Sequence, residues 1–269
     1  MLLKTRAKTG KASGVRFING SISFASVHLN VYSFEVDGIL IDTGSESLVD
    51  TFKPFFKEVD IDKIVITHDH EDHTGGAAFL QQTFNIPIYI NEMSVAACEG
   101  DAKYPMYRKL FWGKRKSFRT QEIGNSFTSR HAKWDVIATP GHTQDHLSFL
   151  NRETGQLFSG DLYVHPKTKV ILRDESIPDL ISSLKKILTY DFAEVFCCHA
   201  GYIQNGRKAL EEKLNYLRSF QEKVLHLHSQ GWREKEIQNE LFPKRYPITY
   251  LSFGEWSSAH MIRSILSKP

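Results

Sequence analysis

Residues 67–73 read THDHEDH and directly follow IDKIVI, a short and nearly continuously apolar run. Such a run is typical of a strand that is covered on both faces. Four side chains of this heptapeptide are types that bind metal ions: His68, His70, Asp72 and His73. Imidazole nitrogen and carboxylate oxygen suit Zn²⁺, and also accept iron or manganese, where one coordination position must stay open for water. The stretch therefore predicts a buried strand that ends at a metal site.

Three more residues of the same types each come just after a predicted strand: His142 in TPGHT, Asp161 in SGD and His199 in CCHAG. Loops at the ends of strands converge in α/β sheets and form sites there. Five histidines and two aspartates are too many for one tetrahedral ion, whereas two ions that share a bridging carboxylate would use them all. A pair of divalent ions can lower the pKa of a bridging water and hold the hydroxide as a nucleophile. The seven residues therefore predict a binuclear centre.

Strands and helices alternate around the heptapeptide. NVYSFEV and GILID predict two strands joined by a hairpin turn at Asp37-Gly38. Ser45 predicts the cap of a helix that runs to about Lys57. A helix that begins after Gly76 and the strand IPIYIN come next. This alternation predicts an α/β fold.

The second half of the chain repeats the same mixture. The strands WDVIATP, HLSFL and QLFSG precede a helix capped by Ser176, and the strand AEVFCC follows that helix. Two such halves suit a two-sheet sandwich with helices outside at least as well as one open sheet. Beyond residue 204 the pattern is helical, with an amphipathic helix over 206–229, a short helix over 234–241 and a last helix after Trp256.

Five motifs together resemble those of the metallo-β-lactamase-fold superfamily, and most closely its glyoxalase II-like hydrolase branch. They are LIDTG at Asp42, THDHEDH, TPGHT, SGD and CCHAG, which occur in the family's order over residues 31–201. The resemblance implies an α/β fold, a four-layer αββα sandwich with the site at one edge. We expect residues 1–204 to form this catalytic domain and residues 205–269 to form appended C-terminal helices packed on it.

The same resemblance implies a role for each ligand residue. One ion would be bound by His68, His70 and His142, the other by Asp72, His73 and His199, and both by Asp161. Asp42 would orient the ligand loop. The oxygen-reducing diiron branch of the superfamily has a glutamate at the position of His70, so the hydrolytic branch fits better. A departure from the family pattern lies at residues 143–146, TQDH, and affects the local turn and the substrate approach beside it.

The expected activity is that of a binuclear metal-dependent hydrolase, in which a bridging hydroxide attacks the carbonyl of a thioester, ester or lactone. Zinc is the first expectation for the two divalent ions, with manganese or iron as alternatives. Asp72 would accept a hydrogen bond from the hydroxide and is the expected catalytic side chain. The alternatives are a metal-dependent phosphodiesterase or ribonuclease, a mononuclear iron persulfide dioxygenase, and a metal-retaining binding protein whose pocket the C-terminal helices occlude.

Residues 103–119 are rich in lysine and arginine, contain interleaved aromatic residues and lack acids. In the family that it resembles, this insertion forms much of the substrate wall, so we expect a small-molecule substrate with an anionic part and an apolar part. Tyr163 is a further candidate, as a donor to a developing oxyanion. Four other residues are expected to be structural: Cys197 and Cys198 on a buried strand, and His28 and His146.

Charge and composition limit the partners. Lysine and arginine total 34 against 31 acidic residues, and a formal charge of +3 is too slight to indicate nucleic acid. The short helices around residues 231–242 are compatible with a helix-turn-helix, but such a pair more often serves packing. No apolar run resembles a signal sequence or a membrane span. Three cysteines, two of them adjacent, favour a reducing compartment, so we expect a cytoplasmic protein. The oligomeric state stays open.

Overall fold

The computed structural model describes residues 3–24, 26–244 and 246–267. These residues form two sheets. The first sheet runs in chain order through β1 (Lys4–Ala12), β2 (Val15–Phe24), β3 (Val27–Val36), β4 (Ile39–Ile41), β5 (Lys63–Val65), β6 (Ile88–Ile90) and β7 (Gln121–Glu122). The second consists of β8 (Ser126–Thr128), β9 (Lys133–Ala138), β10 (Leu147–Asn151), β11 (Gln156–Gly160), β12 (Glu194–Cys197) and β13 (Gly201–Ile203), also in sequential order.

Helices join and flank these strands. In the described residues they are α1 (Val49–Glu58), α2 (Glu71–Thr74), α3 (Ala77–Phe84), α4 (Glu92–Cys98), α5 (Met106–Trp112), α6 (Ile177–Ile187), α7 (Gly206–Ser229), α8 (Glu234–Leu241), α9 (Pro247–Leu251) and α10 (Ser258–Leu266). A 3₁₀ turn over Glu46–Leu48 precedes α1. Across the described part of the chain, every helix is too short or too polar to cross a membrane.

An aromatic core lies between the two sheets. Phe34 of β3 has its ring centroid 5.6 Å from those of Phe158 in β11 and Phe196 in β12. These last two rings stack at 4.8 Å. Val65 and Trp134 are fully buried in the same cluster. Because the inner face of each sheet is apolar, the two sheets pack face to face.

Helices cover the outer face of each sheet. On one side, Phe52 of α1 shares a buried cluster with Leu40 of β4. On the other side, Leu184 of α6 and Leu210 of α7 share a cluster with Leu157 of β11. The layers are therefore helix, sheet, sheet and helix, which confirms the predicted αββα sandwich.

The predicted hairpin forms between β3 and β4, where Val36 pairs with Ile39. Both turn residues have a positive φ, 52° at Asp37 and 79° at Gly38. A two-residue turn of type I′ requires this conformation at both positions, and the Asp-Gly pair tolerates it. The local turn chemistry thus sets the register of β4, the strand that ends just before Asp42.

The two predicted helix caps have different outcomes. The Ser176 hydroxyl accepts the Asp179 N–H at 3.3 Å, so this cap of α6 is confirmed. The cap at Ser45 is wrong, because the Ser45 hydroxyl lies 3.1 Å from the Ser47 hydroxyl and bonds no helix N–H. The intervening 3₁₀ turn delays the start of α1 to Val49.

The sequence pattern does not predict the N-terminal hairpin of β1 and β2. Strand β1 is paired along one side with β2, and most of its side chains are exposed. An edge strand of this kind needs no alternation of apolar and polar residues, and lysines on it discourage pairing with other chains. Its polar sequence, KTRAKTGKA, therefore carries no strand signal.

The C-terminal helices pack on the sandwich. Helices α7 and α8 have the predicted bounds, because their apolar residues recur at helical spacing. Leu217 of α7, Ile237 of α8 and Met261 of α10 are buried in the cluster that also contains Leu184 of α6. Burial of Ile237 there fits the packing interpretation of α8. The division of the chain at residues 204 and 205 stays a prediction.

Candidate metal centre

Four loops at the ends of strands supply the seven predicted ligand residues. His68 and His70 lie in the loop after β5, Asp72 and His73 in the short helix α2, His142 between β9 and β10, Asp161 directly after β11, and His199 just after β12. The structure brings all seven together, although residues 68 and 199 are far apart in the chain.

Three imidazoles form the first cluster. The ligand nitrogens of His68, His70 and His142 lie within 4.8 Å of one another. His142 Nε2 is 3.0 Å from His70 Nδ1. This set is the one that the resemblance assigns to one ion.

The second cluster combines a carboxylate with two imidazoles. Asp72 Oδ2 is 3.5 Å from His199 Nε2 and 3.8 Å from His73 Nε2. Asp161 lies between the clusters, since its Oδ2 is 3.1 Å from His199 Nε2 and 3.4 Å from His142 Nε2. One carboxylate therefore contacts a histidine of each cluster, the arrangement that a bridging ligand requires.

Asp42 orients two of the imidazoles. Its fully buried carboxylate accepts the Thr67 N–H, the Thr67 hydroxyl and His73 Nδ1, each at 2.8 Å, and the Cys198 thiol at 3.0 Å. Because the Thr67 hydroxyl donates to Asp42, the Nδ1–H of His68 donates to the Thr67 oxygen, 3.0 Å away. The Nε2 atoms of His68 and His73 are therefore the free acceptors.

Two residues that the sequence does not indicate orient the other Nε2 ligands. His142 Nδ1 lies 3.1 Å from Glu175 Oε2, and His199 Nδ1 donates to the Asn30 carbonyl at 2.5 Å. Each contact occupies the outer ring nitrogen and leaves Nε2 for the cluster. Asn30 lies 169 residues from His199, and no local pattern links such distant partners.

Three buried acceptor atoms in the centre lack a hydrogen-bond partner among the described residues: His68 Nε2, His73 Nε2 and Asp161 Oδ1. Buried polar atoms are normally paired, so a convergent group of free acceptors needs an explanation. A divalent cation supplies one, because imidazole and carboxylate are its usual ligands. The residues present therefore fit a metal centre.

The histidines of the centre differ in their electrostatics. Burial and the neighbouring imidazoles of His73 and His70 hold the pKa of His68 well below its usual range. Burial also opposes protonation of His199, but the carboxylates of Asp161 and Asp72 raise its pKa to about 9. In the same way Glu175 and Asp161 raise the pKa of His142 against the effect of burial. The negative charge of Asp161 thus acts on both clusters, where it would attract a cation.

The TQDH departure contributes two buried side chains to the site. His146 Nε2 accepts the Asp161 N–H at 2.9 Å, and burial together with His142 lowers the pKa of His146 to about 4. Asp145 accepts the Asp69 N–H at 3.0 Å and the Ser94 hydroxyl at 2.7 Å. His146 is therefore structural, as expected. The turn over residues 143–146 stabilises the loops that carry Asp69 and Asp161.

The basic segment lines a cavity beside the two clusters with four residues, Tyr107, Arg108, Phe111 and Trp112. Arg108 forms two hydrogen bonds of 2.6 Å with the carboxylate of Glu71, which lies within the heptapeptide. Arg115 is buried and donates to the carbonyls of Ala97 and Cys98. Both guanidinium groups are thus engaged within the protein. The anionic part expected of the substrate stays a prediction.

Three other residues named from the sequence have structural surroundings. Tyr163 packs in the hydrophobic cluster beneath the second sheet, so the structure does not support an oxyanion role for it. Cys197 is buried in that cluster and accepts the Val164 N–H. Cys198 packs between the sheets, and its thiol donates to Asp42. The prediction that both cysteines are packing residues agrees with these contacts.

A cavity of about 540 Å³ opens from the two clusters. Asp72, His142 and His199 line its inner end. The walls are largely apolar and come from the β2–β3 turn, α5, residues 164–172 and the tail around α9, with Leu29, Phe111, Val170, Ile248 and Trp256 among the lining residues. A concave, apolar chamber with a few polar groups at one end is typical of a small-molecule site.

The model of the metallo-beta-lactamase superfamily matches residues 31–199. The chain therefore belongs to this superfamily, as the five motifs predict. Two similar curated proteins are a beta-lactamase-like protein 2 homolog of Caenorhabditis elegans, 29% identical over 66% of this chain, and a hydroxyacylglutathione hydrolase, or glyoxalase II, of Marinomonas sp. (strain MWYL1), 32% identical over 45% of it. The matches span 57% and 40% of those two proteins.

The fold is also that of solved members. A metallo-beta-lactamase family protein from Thermus thermophilus aligns with a TM-score of 0.69 at 19% identity, over 96% of this chain and 94% of that one. A beta-lactamase domain protein from Burkholderia ambifaria aligns with a TM-score of 0.67 at 17% identity, over 96% and 88%. Because so little of this chain is left unaligned, the similarity in fold includes most of the C-terminal helices.

Proposed function

We propose that the protein is a binuclear metal-dependent hydrolase that cleaves an acyl thioester, an ester or a lactone. One observation supports this most: three buried acceptors, His68 Nε2, His73 Nε2 and Asp161 Oδ1, converge without a partner among the described residues. The hydroxyacylglutathione hydrolases and the metallo-hydrolase of Bacillus subtilis among its relatives support the same class of reaction.

The ligand set divides into two triads that share Asp161. His68, His70 and His142 would hold one ion, and Asp72, His73 and His199 the other. Two divalent ions bound there, zinc first among them, would supply a hydroxide nucleophile at neutral pH and polarise the scissile carbonyl. Hydrolysis then joins one oxygen of water to the acyl carbon and breaks the bond to sulfur or oxygen, which gives a carboxylate and a thiol or alcohol.

Side chains around the proposed ions would orient the nucleophile, fix the histidine tautomers and exclude water. Asp72 lines the cavity at the second cluster, where its carboxylate can accept a hydrogen bond from the nucleophile and orient it. Asp42 and Glu175 keep the imidazoles of His73 and His142 in one tautomer. The apolar walls exclude water and suit an acyl chain. A long polyanion such as RNA would find little polar surface inside this cavity.

The proposed compartment is the cytoplasm, and the proposed partner is a small-molecule substrate. Cys98, Cys197 and Cys198 are free and buried. Unpaired thiols are typical of a reducing compartment. We propose no nucleic-acid or membrane partner.

The test is a substrate panel with the chelator-stripped protein and with the protein reloaded with zinc, manganese or iron. We expect hydrolysis of short-chain acyl thioesters or lactones that disappears on stripping and returns with two equivalents of metal. Cleavage of bis-p-nitrophenyl phosphate alone would favour the phosphodiesterase alternative. Oxygen consumption with a persulfide and one equivalent of iron would favour the dioxygenase. Either outcome, or inertness toward every acyl substrate, would contradict the proposal.

Asp72→Asn with a matched carboxylate control sharpens the test. Loss of Asp72 should lower kcat by about 10²–10⁴-fold, the range for a group that handles a proton in the transition state. The control is Asp50→Asn, because the Asp50 side chain is 92% exposed and pairs only with Lys53 on the surface. Equal activity in both variants would remove the catalytic role of Asp72.

A further inference from the structure

Helix α7 carries a lysine on its buried face. Lys213 lies three residues after Leu210 and four before Leu217, and both leucines are in the hydrophobic cluster. Its exposed fraction is 3%, yet it lines the cavity that opens from the metal-ligand clusters. A cation at this position is unusual, because helix positions at this spacing normally carry apolar side chains.

The ammonium group of Lys213 has spare capacity. Among the described residues its Nζ donates one hydrogen bond, to the Tyr163 carbonyl, and no carboxylate oxygen lies within 4.0 Å of it. An ammonium group has three donors. Burying a charge that is neither paired nor fully hydrogen-bonded costs free energy. Because folding has already removed water from the Lys213 ammonium group, an anion that binds there does not have to desolvate it again.

The pKa of Lys213 favours its charged form at neutral pH. Burial lowers the pKa of Lys213 to about 8, while the acidic groups of Cys197, Glu175 and Asp161 oppose that shift. Glu175 is held by His142 and by the Leu172 N–H. Its carboxylate is therefore committed to orienting a metal ligand and does not neutralise Lys213 as a direct partner.

The other cations near the cavity are unsuitable for recognising a buried anion. Arg108 is occupied by Glu71. Lys167 and Lys169 line the mouth of the cavity but are exposed. An exposed lysine holds an anion weakly, since water and salt screen the pair. Among the described residues that line the cavity, Lys213 is thus the buried cation that a substrate can still neutralise.

We propose that Lys213 binds a carboxylate at the far end of the acyl group, so that the enzyme selects acyl substrates that carry a terminal carboxylate. This inference rests on the proposed hydrolase function. A single ammonium group in an apolar wall matches a monoanion on an apolar chain, because one positive charge neutralises one negative charge. The scissile carbonyl would lie at the metal ligands while the chain fills the space between them and α7.

The test compares binding of two series of acids to the metal-loaded protein. The dicarboxylates glutarate, adipate and pimelate are paired with monocarboxylates of the same carbon number. One carboxylate of either acid can occupy the metal site, so only the second carboxylate reports on Lys213. Trp112 and Trp256 line the cavity, and their fluorescence is the readout. We expect one of the dicarboxylates to bind about ten- to a hundred-fold more tightly than its partner.

Variants of two lysines assign that preference. In Lys213→Met the preference should vanish while the affinity for monocarboxylates is unchanged, and Lys213→Arg should retain part of it. Lys167→Met, a lysine at the mouth of the same cavity, should keep the full preference. A purely structural role of Lys213, through the Tyr163 carbonyl, would weaken both kinds of acid equally and would overturn the proposal.

The wild-type protein alone also tests the proposal if Lys213→Met does not fold. Equal affinity for every dicarboxylate and its partner would overturn the proposal without any variant. Because binding requires no turnover, the outcomes for the two proposals are separate. A dicarboxylate preference in a protein that hydrolyses no acyl substrate would contradict the hydrolase function and support the anion site at Lys213. Hydrolysis without that preference would support the hydrolase function and contradict the anion site.

Discussion

The metal-ligand loops and the cavity wall meet at one edge of the sandwich, but the histidines of the loops and Arg108 of the wall use their polar atoms in opposite ways. In the loops, protein partners hold the outer nitrogens of His73 and His142, and the inner acceptors stay free. In the wall, Arg108 directs its guanidinium group at the carboxylate of Glu71. A polar residue is thus available to a ligand only where the fold leaves an atom unpartnered.

The largest effect is expected in the loops, for Asp161→Ala. This carboxylate contacts histidines of both clusters, so its loss removes a ligand from each proposed ion. We expect kcat/KM to fall by more than about 100-fold, the upper range for residues that only support ligands. Metal content should fall with it, as elemental analysis would measure. Full metal content with full activity would refute the bridging assignment.

In the wall, the largest expected effect is on stability, for Arg108→Met. The carboxylate of Glu71 is 2% exposed and would remain buried without its partner. Breaking such a pair costs about 3–5 kcal/mol in the free energy of unfolding, measured by denaturant titration. Because burial raises the pKa of Glu71, the deficit should shrink as the pH falls toward the ordinary pKa of a glutamate.

A double variant controls for the loss of the arginine itself. Replacing Glu71 and Arg108 together by Met removes the unpaired charge, so most of the lost stability should return. If Arg108→Met alone cost less than about 0.5 kcal/mol, the pair would have no structural role. In that case the arginine would again be a candidate for substrate binding.

Asp42→Asn probes how the loops keep their acceptors free. The carboxylate accepts four hydrogen bonds, and an amide cannot accept all four. We expect metal affinity to fall about 10- to 100-fold, measured by competition with a chromophoric chelator. The matched control is Asp37→Asn at the hairpin turn, outside the metal site. Similar losses in the two variants would mean that the effect is not specific to the ligands.

The smallest effect is expected for Lys116→Glu. Lys116 is exposed and is absent from the cavity lining, although it belongs to the basic segment 103–119. Stability and kcat/KM should stay within about 0.5 kcal/mol of the wild-type protein. A selective loss of affinity for an anionic substrate would instead support the expectation that the positive charges of this segment bind the substrate.

The convergence of the seven residues could be predicted because each follows an apolar strand, and strand ends are where sites form; their role as metal ligands stays a prediction. The αββα layers followed from the motifs and from strands that alternate with helices. Helices α7 and α8 were predictable to the residue, since their apolar spacing persists from end to end. Strand β1 was not, because an exposed edge strand has no apolar pattern.

The partners of the ligands were beyond the reach of sequence patterns. Asn30 supports a histidine 169 residues away, a contact that only the folded sheets create. The surroundings of Arg115 in the basic segment were out of reach for a related reason, because composition does not reveal that its guanidinium group points at the carbonyls of α4. Lys213 did leave a signal, a charged residue at the helical spacing of Leu210 and Leu217.

The proposal that seven side chains hold two divalent ions can be tested by anomalous diffraction at the zinc edge, from crystals of the zinc-loaded protein. We expect two peaks, each about 2.0–2.2 Å from its ligand atoms. One should lie among His68, His70 and His142, the other among Asp72, His73 and His199, with Asp161 contacting both. A single peak, or peaks away from Asp161, would contradict it.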